Sequence, residues 1–197
     1  RWFELLKLGA DEDIYTFQEV IKGKSGPKVN IRDKPVYMMS SYDYLGLIGH
    51  PEIESAAIDA IHEYGTGTGG VRLLTGTNVL HHHLEKSLSR FMGTESSMVL
   101  SSGYMANLAV IAGLFSKNDL VIADERIHRS IVDALKVAGI QQEPFRHNDP
   151  LSLKSVLEKN DRVKRKLILV EGVYSMDGDI CPLPEILALK ETYRAFL

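Results

Sequence analysis

The chain has 197 residues, of which 44% are hydrophobic and 25% are charged, and its net charge is −3. This composition is typical of an ordinary globular protein, and the weak negative charge argues against binding to nucleic acid or to an anionic membrane. A single cysteine excludes a disulfide framework and favours a reducing cytoplasm. No apolar run approaches the roughly 20 residues that a membrane-spanning helix needs.

Residues 1–48 are predicted to form an N-terminal arm and a hairpin, separate from a unit over 49–197. Residues 11–28 have a mixed composition with Gly, Lys and Pro, so they are predicted to be irregular. Two short apolar runs, 28–31 and 36–39, flank the turn-forming residues between them, which is a hairpin pattern.

Helices and strands alternate beyond residue 49. The apolar periodicity predicts helices over 51–64, 79–92, 104–115, 129–138, 150–160 and 183–196, and strands over 96–101, 119–123, 141–146 and 166–171. This alternation indicates βαβ units and a mostly parallel sheet, which is an α/β fold. Ligands of such sheets bind beyond the carboxyl ends of the strands, and this rule selects residues 101–104, 124–128, 147–149 and 171–179.

One strand end carries a small-residue turn and a helix N-terminus. Ser102 and Gly103 follow the predicted strand at 96–101, and the helical pattern begins at Tyr104-Met105. The first N–H groups of a helix lack intrahelical partners, and the helix dipole adds positive charge there. The stretch is therefore either a capped turn or a phosphate cradle.

A glycine loop over 65–77 lies between the first two of these helices. Gly65, Gly67 and Gly70 match the spacing of a dinucleotide fingerprint, but that fingerprint should follow a strand and open a helix. We reject the dinucleotide interpretation for that reason. The loop is either flexible or pressed against a cofactor or a second subunit, because so many glycines allow close approach.

Three further places have residue types that could carry chemistry. Asp124 and His128 follow one predicted strand, and Ser175 follows another. His128 could be a capping residue or face the same cleft as Gly103, and Ser175 could serve a turn or a ligand. Metal binding by the consecutive residues 81–83, all histidines, is disfavoured because neighbouring helix side chains point about 100° apart.

These pieces, in this order, resemble the α-oxoamine synthases, a family of fold-type-I pyridoxal-phosphate enzymes related to aspartate aminotransferase. The resemblance covers about residues 42–197. It rests on Tyr44-Leu45-Gly46-Leu47 with His50-Pro51, the loop from Tyr64 to Thr77, Ser102-Gly103-Tyr104-Met105-Ala106-Asn107, Asp124 with His128 and Ser130, His147-Asn148-Asp149, and Glu171 to Leu183. Each motif is weak alone, but their combination is specific.

The resemblance implies a role for each matching residue. Ser102 with the backbone amides of Gly103 and Tyr104 would hold the phosphate of pyridoxal 5′-phosphate. His128 would stack on the pyridine ring and help to position the amino-acid substrate, and Ser175 would bond near the phenolic oxygen of that ring. No metal is implied.

The resemblance also implies the reaction and the assembly. The enzymes of this family condense an amino acid with an acyl thioester, carried by coenzyme A or an acyl carrier protein, to give an α-oxoamine. Their active site is built at a homodimer interface, with both subunits contributing, so the resemblance implies a homodimer. The 197 residues would then be the N-terminal part of the large cofactor-binding domain.

Two features depart from the family pattern. The Schiff-base lysine of the family lies beyond a further strand, and no lysine of this chain sits in a matching motif, so the chain as written should not catalyse the full reaction. Tyr42 stands where the family usually has Asn, and residues 40–44 look more like members that use carrier proteins. Another fold-type-I enzyme, such as an aminotransferase or lyase, and a non-catalytic partner subunit are the alternatives.

Overall fold

The computed structural model describes residues 2–12 and 19–197. Part of the predicted irregular arm therefore lies outside the described residues. The chain divides into two compact units, Arg1–Val79 and Leu80–Leu197. The predicted division of the chain at residues 48 and 49 stays a prediction.

The described part of the first unit contains two helices and a small antiparallel sheet. Its elements are α1 (Trp2–Asp11), β1 (Ile21–Lys22), β2 (Lys28–Ile31), β3 (Lys34–Tyr37) and α2 (Pro51–Tyr64). The hairpin of β2 and β3 is confirmed, but β3 begins two residues earlier than predicted because Arg32 and Asp33 both adopt positive φ and close a two-residue turn. β1 was not predicted, and it pairs with β2 over only two residues.

Close packing within the glycine loop explains one of its glycines. A Cβ at Gly76 would lie 1.9 Å from the carbonyl oxygen of Gly70, which is a backbone atom of the same loop. The amide of Gly76 donates to the carbonyl of Val71 at 2.9 Å. At Gly76, the close backbone approach that the glycines predict is therefore made to another residue of the same loop. The predicted contact with a cofactor or a second subunit stays a prediction.

The second unit is an α/β layer. It contains α3 (Val79–Met92), which starts at the boundary, then α4 (Gly103–Leu114), β4 (Leu120–Asp124), α5 (Arg129–Ala138), β5 (Gln141–Phe145), α6 (Pro150–Lys159), β6 (Lys166–Leu169) and α7 (Leu183–Thr192). The three strands are parallel in the order β5-β4-β6, which confirms the α/β prediction. No helix in the described ranges is long and apolar enough to cross a membrane.

The central strand, β4, is buried along its whole length. Its side chains alternate between two apolar clusters, with Ile122 in the cluster of α6 and α7 and Val121 in the cluster of α5. Each such side chain contributes roughly 1.5–3 kcal/mol when fully buried. This core fixes the ends of the strands, where the candidate site lies.

The predicted strand over 96–101 is wrong. The structure has an irregular segment there, and two of its hydrogen bonds go to α3. The amide of Val99 donates to the Glu85 carboxylate at 2.9 Å, and the Ser97 hydroxyl donates to the Glu85 carbonyl at 2.6 Å. A strand needs a ladder partner, and in the described part of the chain none pairs with this segment.

The predicted helix over 183–196 is too long. α7 ends at Thr192, and Arg194 adopts a positive φ of 50°. Phe196 then pairs in parallel with β6, since its amide donates to Lys166 and its carbonyl accepts from Ile168, both at 2.8 Å. The apolar residues near the end of the chain begin a strand-like pairing rather than continuing the helix.

Candidate functional site

The carboxyl ends of β4, β5 and β6 meet at one edge of the sheet. Asp124, the last residue of β4, pairs with Phe145, the last residue of β5. On the other side of β4, Leu169, the last residue of β6, pairs with Ala123, the residue before Asp124. The loops that follow contain His128, His147 and Ser175, respectively. Parallel strands place such loops side by side, so this edge is where a ligand of the sheet should bind.

The N-terminus of α4 is capped by Ser102. The Ser102 hydroxyl accepts a hydrogen bond from the amide of Met105 at 3.2 Å, and its carbonyl accepts from Ala106. In residues 2–12 and 19–197 the amides of Gly103 and Tyr104 donate to no acceptor. The first turn of α4 contains no acidic residue, and a Cβ at Gly103 would meet no atom within 4 Å. Two free amides and open space suit an anion.

The side chain of Tyr104 is held by α5. Its hydroxyl donates to Asp133 at 3.0 Å, and Asp133 also accepts from Arg129 at 2.8 Å. The hydrogen bond to the Asp133 carboxylate raises the pKa of Tyr104. The phenol is thus occupied, so an anion at this turn would meet the backbone amide of Tyr104.

His128 caps α5 with its own ring. Nδ1 of His128 accepts from the amide of Ser130 at 3.2 Å and lies 2.7 Å from the Ser130 hydroxyl. The backbone amide of His128 donates to the Glu171 carboxylate, which follows β6. The ring is exposed, so it offers a free flat face at the strand ends.

Ser175 lies at the tip of the loop between β6 and α7. This loop folds back on itself, since Val173 pairs with Ile180 and the amide of Tyr174 donates to Asp179 at 2.9 Å. Gly178 has a φ of 74°, in the left-handed region that favours glycine, so the loop can turn tightly here. The Ser175 side chain is exposed and makes no hydrogen bond to the residues that the structure describes.

A buried ion pair that the sequence did not predict joins these loops. Nδ1 of His147 lies 3.0 Å from Asp124, and Nε2 lies 3.1 Å from Asp179. Asp124 is fully buried and also accepts from the amides of Arg126 and Asn148, both at 2.9 Å. The pair therefore connects the ends of β4 and β5 to the loop that carries Ser175.

Burial and hydrogen bonding act in opposite directions on these groups. Burial raises the pKa of Asp124, but the amides of Asn148 and Arg126 and the His147 ring lower it more, so the pKa lies below its ordinary value. Burial lowers the pKa of His147, but its bonds to Asp124 and Asp179 outweigh this and raise it. Both groups are therefore stabilised in their charged forms.

Tyr174 packs against the network of His147 and Asp124. Its ring is buried and meets the His147 ring edge-on, with the ring centres 4.5 Å apart. Burial, together with the nearby Asp124 charge, raises the pKa of Tyr174 far above its ordinary value. The phenol therefore stays neutral and acts as a packing and hydrogen-bonding group.

Strand ends were the signal that could have revealed this pair. The sequence pattern selected residues 124–128, 147–149 and 171–179 as ligand-facing places, and each contains an ionisable residue. Nothing local pairs His147 with Asp124, because 23 residues separate them. The described ranges contain no group of His, Cys, Asp and Glu side chains that could hold a metal ion. Cys181 is buried in the core.

The site has the donors that a phosphorylated aromatic cofactor needs. The α4 turn offers backbone amides for a phosphate, and the exposed His128 ring offers a flat partner. The hydrogen bond from Asn107 on α4 to Ser130 on α5, at 2.8 Å, joins the two turns that present these groups. The residues present therefore fit such a group.

Comparison with known proteins identifies the class. The family described as aminotransferase class I and II matches residues 34–197. The chain belongs to this family. Its fold is that of the fold-type-I pyridoxal-phosphate enzymes, as predicted.

The relatives narrow the class to the α-oxoamine synthases. The chain is 41% identical to 8-amino-7-oxononanoate synthase 1 of Bacillus velezensis over 99% of its length, and 41% identical to serine palmitoyltransferase of Bacteroides ovatus over 93%. It spans about half the length of these curated relatives, 51% and 47% respectively. The predicted resemblance, including its restriction to the N-terminal part, is thereby confirmed.

A solved structure shows the same arrangement of the chain. Serine palmitoyltransferase from S. paucimobilis, with a bound PLP–myriocin aldimine, superposes with a TM-score of 0.93 at 34% identity. The match covers 98% of this chain and 49% of that one. A Sphingomonas wittichii serine palmitoyltransferase gives the same TM-score, also at 34% identity and with 98% and 49% of the two chains covered.

Proposed function

We propose that the full-length protein is a pyridoxal 5′-phosphate-dependent acyltransferase of the α-oxoamine synthase type. It would condense an amino acid with an acyl thioester of coenzyme A or an acyl carrier protein. One observation carries this proposal. Relatives with two different names, 8-amino-7-oxononanoate synthase and serine palmitoyltransferase, match nearly the whole chain at about 40% identity.

The N-terminal turn of α4 would hold the phosphate of the cofactor. The amides of Gly103 and Tyr104, which have no acceptor among the described residues, would donate to the phosphate, and the dipole of α4 would favour its negative charge. Ser102 would keep this turn closed through its bond to Met105. When bound, the cofactor supplies an electron sink for a carbanion at the amino acid.

His128 and Ser175 would contact the cofactor ring. The exposed ring of His128 would stack on the pyridine and help to position the amino acid, and the free hydroxyl of Ser175 would donate near the phenolic oxygen. Arg126 bonds Asp177 at 2.8 Å and so ties the loop of Ser175 to the loop of His128. The ion pair of His147 and Asp124 stabilises the same loops.

The remaining parts of the machinery belong to the rest of the protein. Since this chain spans about half of its relatives, we propose that the Schiff-base lysine lies in the other half. We also propose that the protein is cytoplasmic, in line with its single, buried cysteine. We further propose that it is a homodimer, as the resemblance implies. Sedimentation of the full-length protein at twice its monomer mass would support the dimer, and a monomer that binds cofactor and turns over would contradict it.

The experiment uses the full-length protein loaded with pyridoxal 5′-phosphate. Small amino acids are added one at a time, and the visible absorbance of the cofactor is followed. Acyl-coenzyme A and acyl carrier protein are then offered separately, and ketone product is measured. Product that appears with a thioester, and not without one, would support the proposal; an unchanged spectrum with every amino acid would contradict it.

An aminotransferase is the second candidate, because the matching family takes its description from that activity. Amino-group transfer to a keto acid without any thioester would identify it. The same loaded protein serves for this assay, so the two functions are distinguished by the co-substrate alone.

A further inference from the structure

The orientation of the His128 ring is controlled from one side only. Its Nδ1 faces Ser130, with the Ser130 amide at 3.2 Å and the Ser130 hydroxyl at 2.7 Å. Its Nε2 has no hydrogen-bond partner in the part of the chain that the structure describes. The ring is therefore fixed by a residue that is not itself exposed to a ligand, since Ser130 is fully buried.

The Ser130 amide determines which ring nitrogen carries the proton. A backbone N–H can only donate, and its direction is set by α5. An Nδ1 that carried a proton would place two N–H groups against each other, so Nδ1 must accept. In a neutral imidazole the other nitrogen then carries the proton. His128 thus presents Nε2–H away from α5.

Asn107 determines the direction of the second bond. Its amide Nδ2 donates to the Ser130 hydroxyl at 2.8 Å, which uses an acceptor site of that oxygen. The hydroxyl proton is then free to donate to Nδ1 of His128. The order of donation runs from Asn107 through Ser130 to His128, from the helix of the anion-binding turn to the exposed ring.

We propose that Ser130, oriented by Asn107, is a positioning residue that holds His128 in its Nε2–H tautomer and fixes its ring plane. This inference rests on the proposed function, because the orientation of His128 matters to the reaction only if the ring contacts the cofactor and the amino acid. A ring held in this way presents an N–H donor on the side open to ligand, where a substrate carboxylate could accept. A free imidazole would divide between two tautomers and two ring orientations.

The test measures the tautomer directly. The full-length protein is labelled with ¹⁵N only in its histidines, and its long-range ¹H–¹⁵N spectrum is recorded at about pH 8.5, where an ordinary imidazole is neutral. The His128→Gln variant assigns the resonances. We expect the Nε2–H form of His128 to predominate in the unmodified protein. A predominant Nδ1–H form would overturn the proposal.

Two variants test the residues that impose the tautomer. In S130A the backbone amide still donates to Nδ1 but the hydroxyl donor is lost, so the ratio of Nε2–H to Nδ1–H should fall about three- to tenfold, the factor expected of one ordinary hydrogen bond. In N107D the new carboxylate attracts the hydroxyl proton of Ser130, so the ratio should fall in the same direction. An unchanged ratio in both folded variants would overturn the proposal.

Ser89→Ala is the matched control. Ser89 is also a buried helix serine, but its hydroxyl donates to the Lys86 carbonyl and not to a histidine. Its removal should leave the His128 tautomer unchanged while giving a comparable loss of thermal stability. A change of tautomer in S89A equal to that in S130A would show a general structural effect and overturn the assignment to Ser130.

Kinetics give a second readout. S130A should raise KM for the amino acid more than it lowers kcat, because the chemistry of the cofactor is untouched while the donor is less well oriented. A lower kcat with unchanged KM would contradict the positioning role. The tautomer measurement needs neither cofactor nor substrate, so its result stands even where the amino acids leave the cofactor spectrum unchanged.

Discussion

At the scale of single residues, the pair of Asp124 and His147 sets how stability depends on pH. The pKa of His147 is raised in the folded protein, so its contribution is complete below about pH 6.5, the ordinary imidazole value, and is lost as the pH rises through its own pKa. The pKa of Asp124 is lowered, so its contribution is present above about pH 4 and is lost as the pH falls through its own pKa.

We therefore expect the thermal midpoint of the full-length protein to be highest between about pH 4 and pH 6.5, and to decrease toward pH 9. His147→Asn should remove most of the alkaline decrease and cost about 2–3 kcal/mol, because the buried Asp124 charge loses a partner. His62→Asn, on the exposed face of α2, is the control and should keep the wild-type profile. A similar alkaline slope in the His147 and His62 variants would contradict the prediction.

Gly103 provides a second test at this scale, because its backbone faces open space. Ala at position 103 should fold normally, since a Cβ there meets no atom within 4 Å, but the methyl group would occupy the space of a phosphate. Pyridoxal 5′-phosphate affinity should fall at least about tenfold, as expected for weakened bonds to a charged group. Equilibrium titration of the full-length protein followed by cofactor absorbance measures the change.

Gly113→Ala, in the same helix, is the control. Its added Cβ also meets no atom within 4 Å, and the site is exposed, so cofactor affinity should not change. Its stability should rise by up to about 1 kcal/mol because Ala favours a helix over Gly. Equal loss of affinity in both variants would remove the argument for a cradle at Gly103.

At the scale of elements, the glycine loop is constrained by its own backbone at one position. Gly76→Ala would place a Cβ 1.9 Å from the Gly70 carbonyl oxygen, and a backbone atom there cannot move freely. We expect a loss of about 1–3 kcal/mol, the usual cost of overpacking. Gly67→Ala meets no atom within 4 Å and should change stability little, as chemical denaturation of the two variants would reveal.

The element boundaries show which signals are local. α2, α3 and α5 begin and end at the predicted residues, because Pro51, the apolar period and the left-handed Gly139 cap all act within a few residues of the chain. The segment over 96–101 has the same apolar character as a strand. It does not become one, because no strand of the described residues pairs with it.

At the scale of the whole molecule, the apolar surface of the chain is large. α2 buries none of its side chains, and Ile53, Ile61 and Leu73 are at least half exposed. Exposed apolar surface of this extent marks an interface or an aggregation risk. We expect the isolated 1–197 chain to bind a hydrophobic dye and to unfold without a cooperative transition. The full-length protein should not bind the dye and should unfold cooperatively. A sharp, dye-silent transition in the isolated chain would contradict this.

The sequence by itself determined the class of fold, the family and most of the helices and strands, because alternation, periodicity and capping are short-range patterns. It also selected four segments beyond predicted strand ends, three of which follow β4, β5 and β6 in the structure. Only the tertiary structure decided what meets there. Asp124, His147 and Asp179 lie 23 and 32 residues apart, and they form one buried network because parallel strands bring their carboxyl ends to one edge. Likewise, Asn107 and Ser130 reach His128 only because α4 packs on α5, and no local pattern encodes that contact.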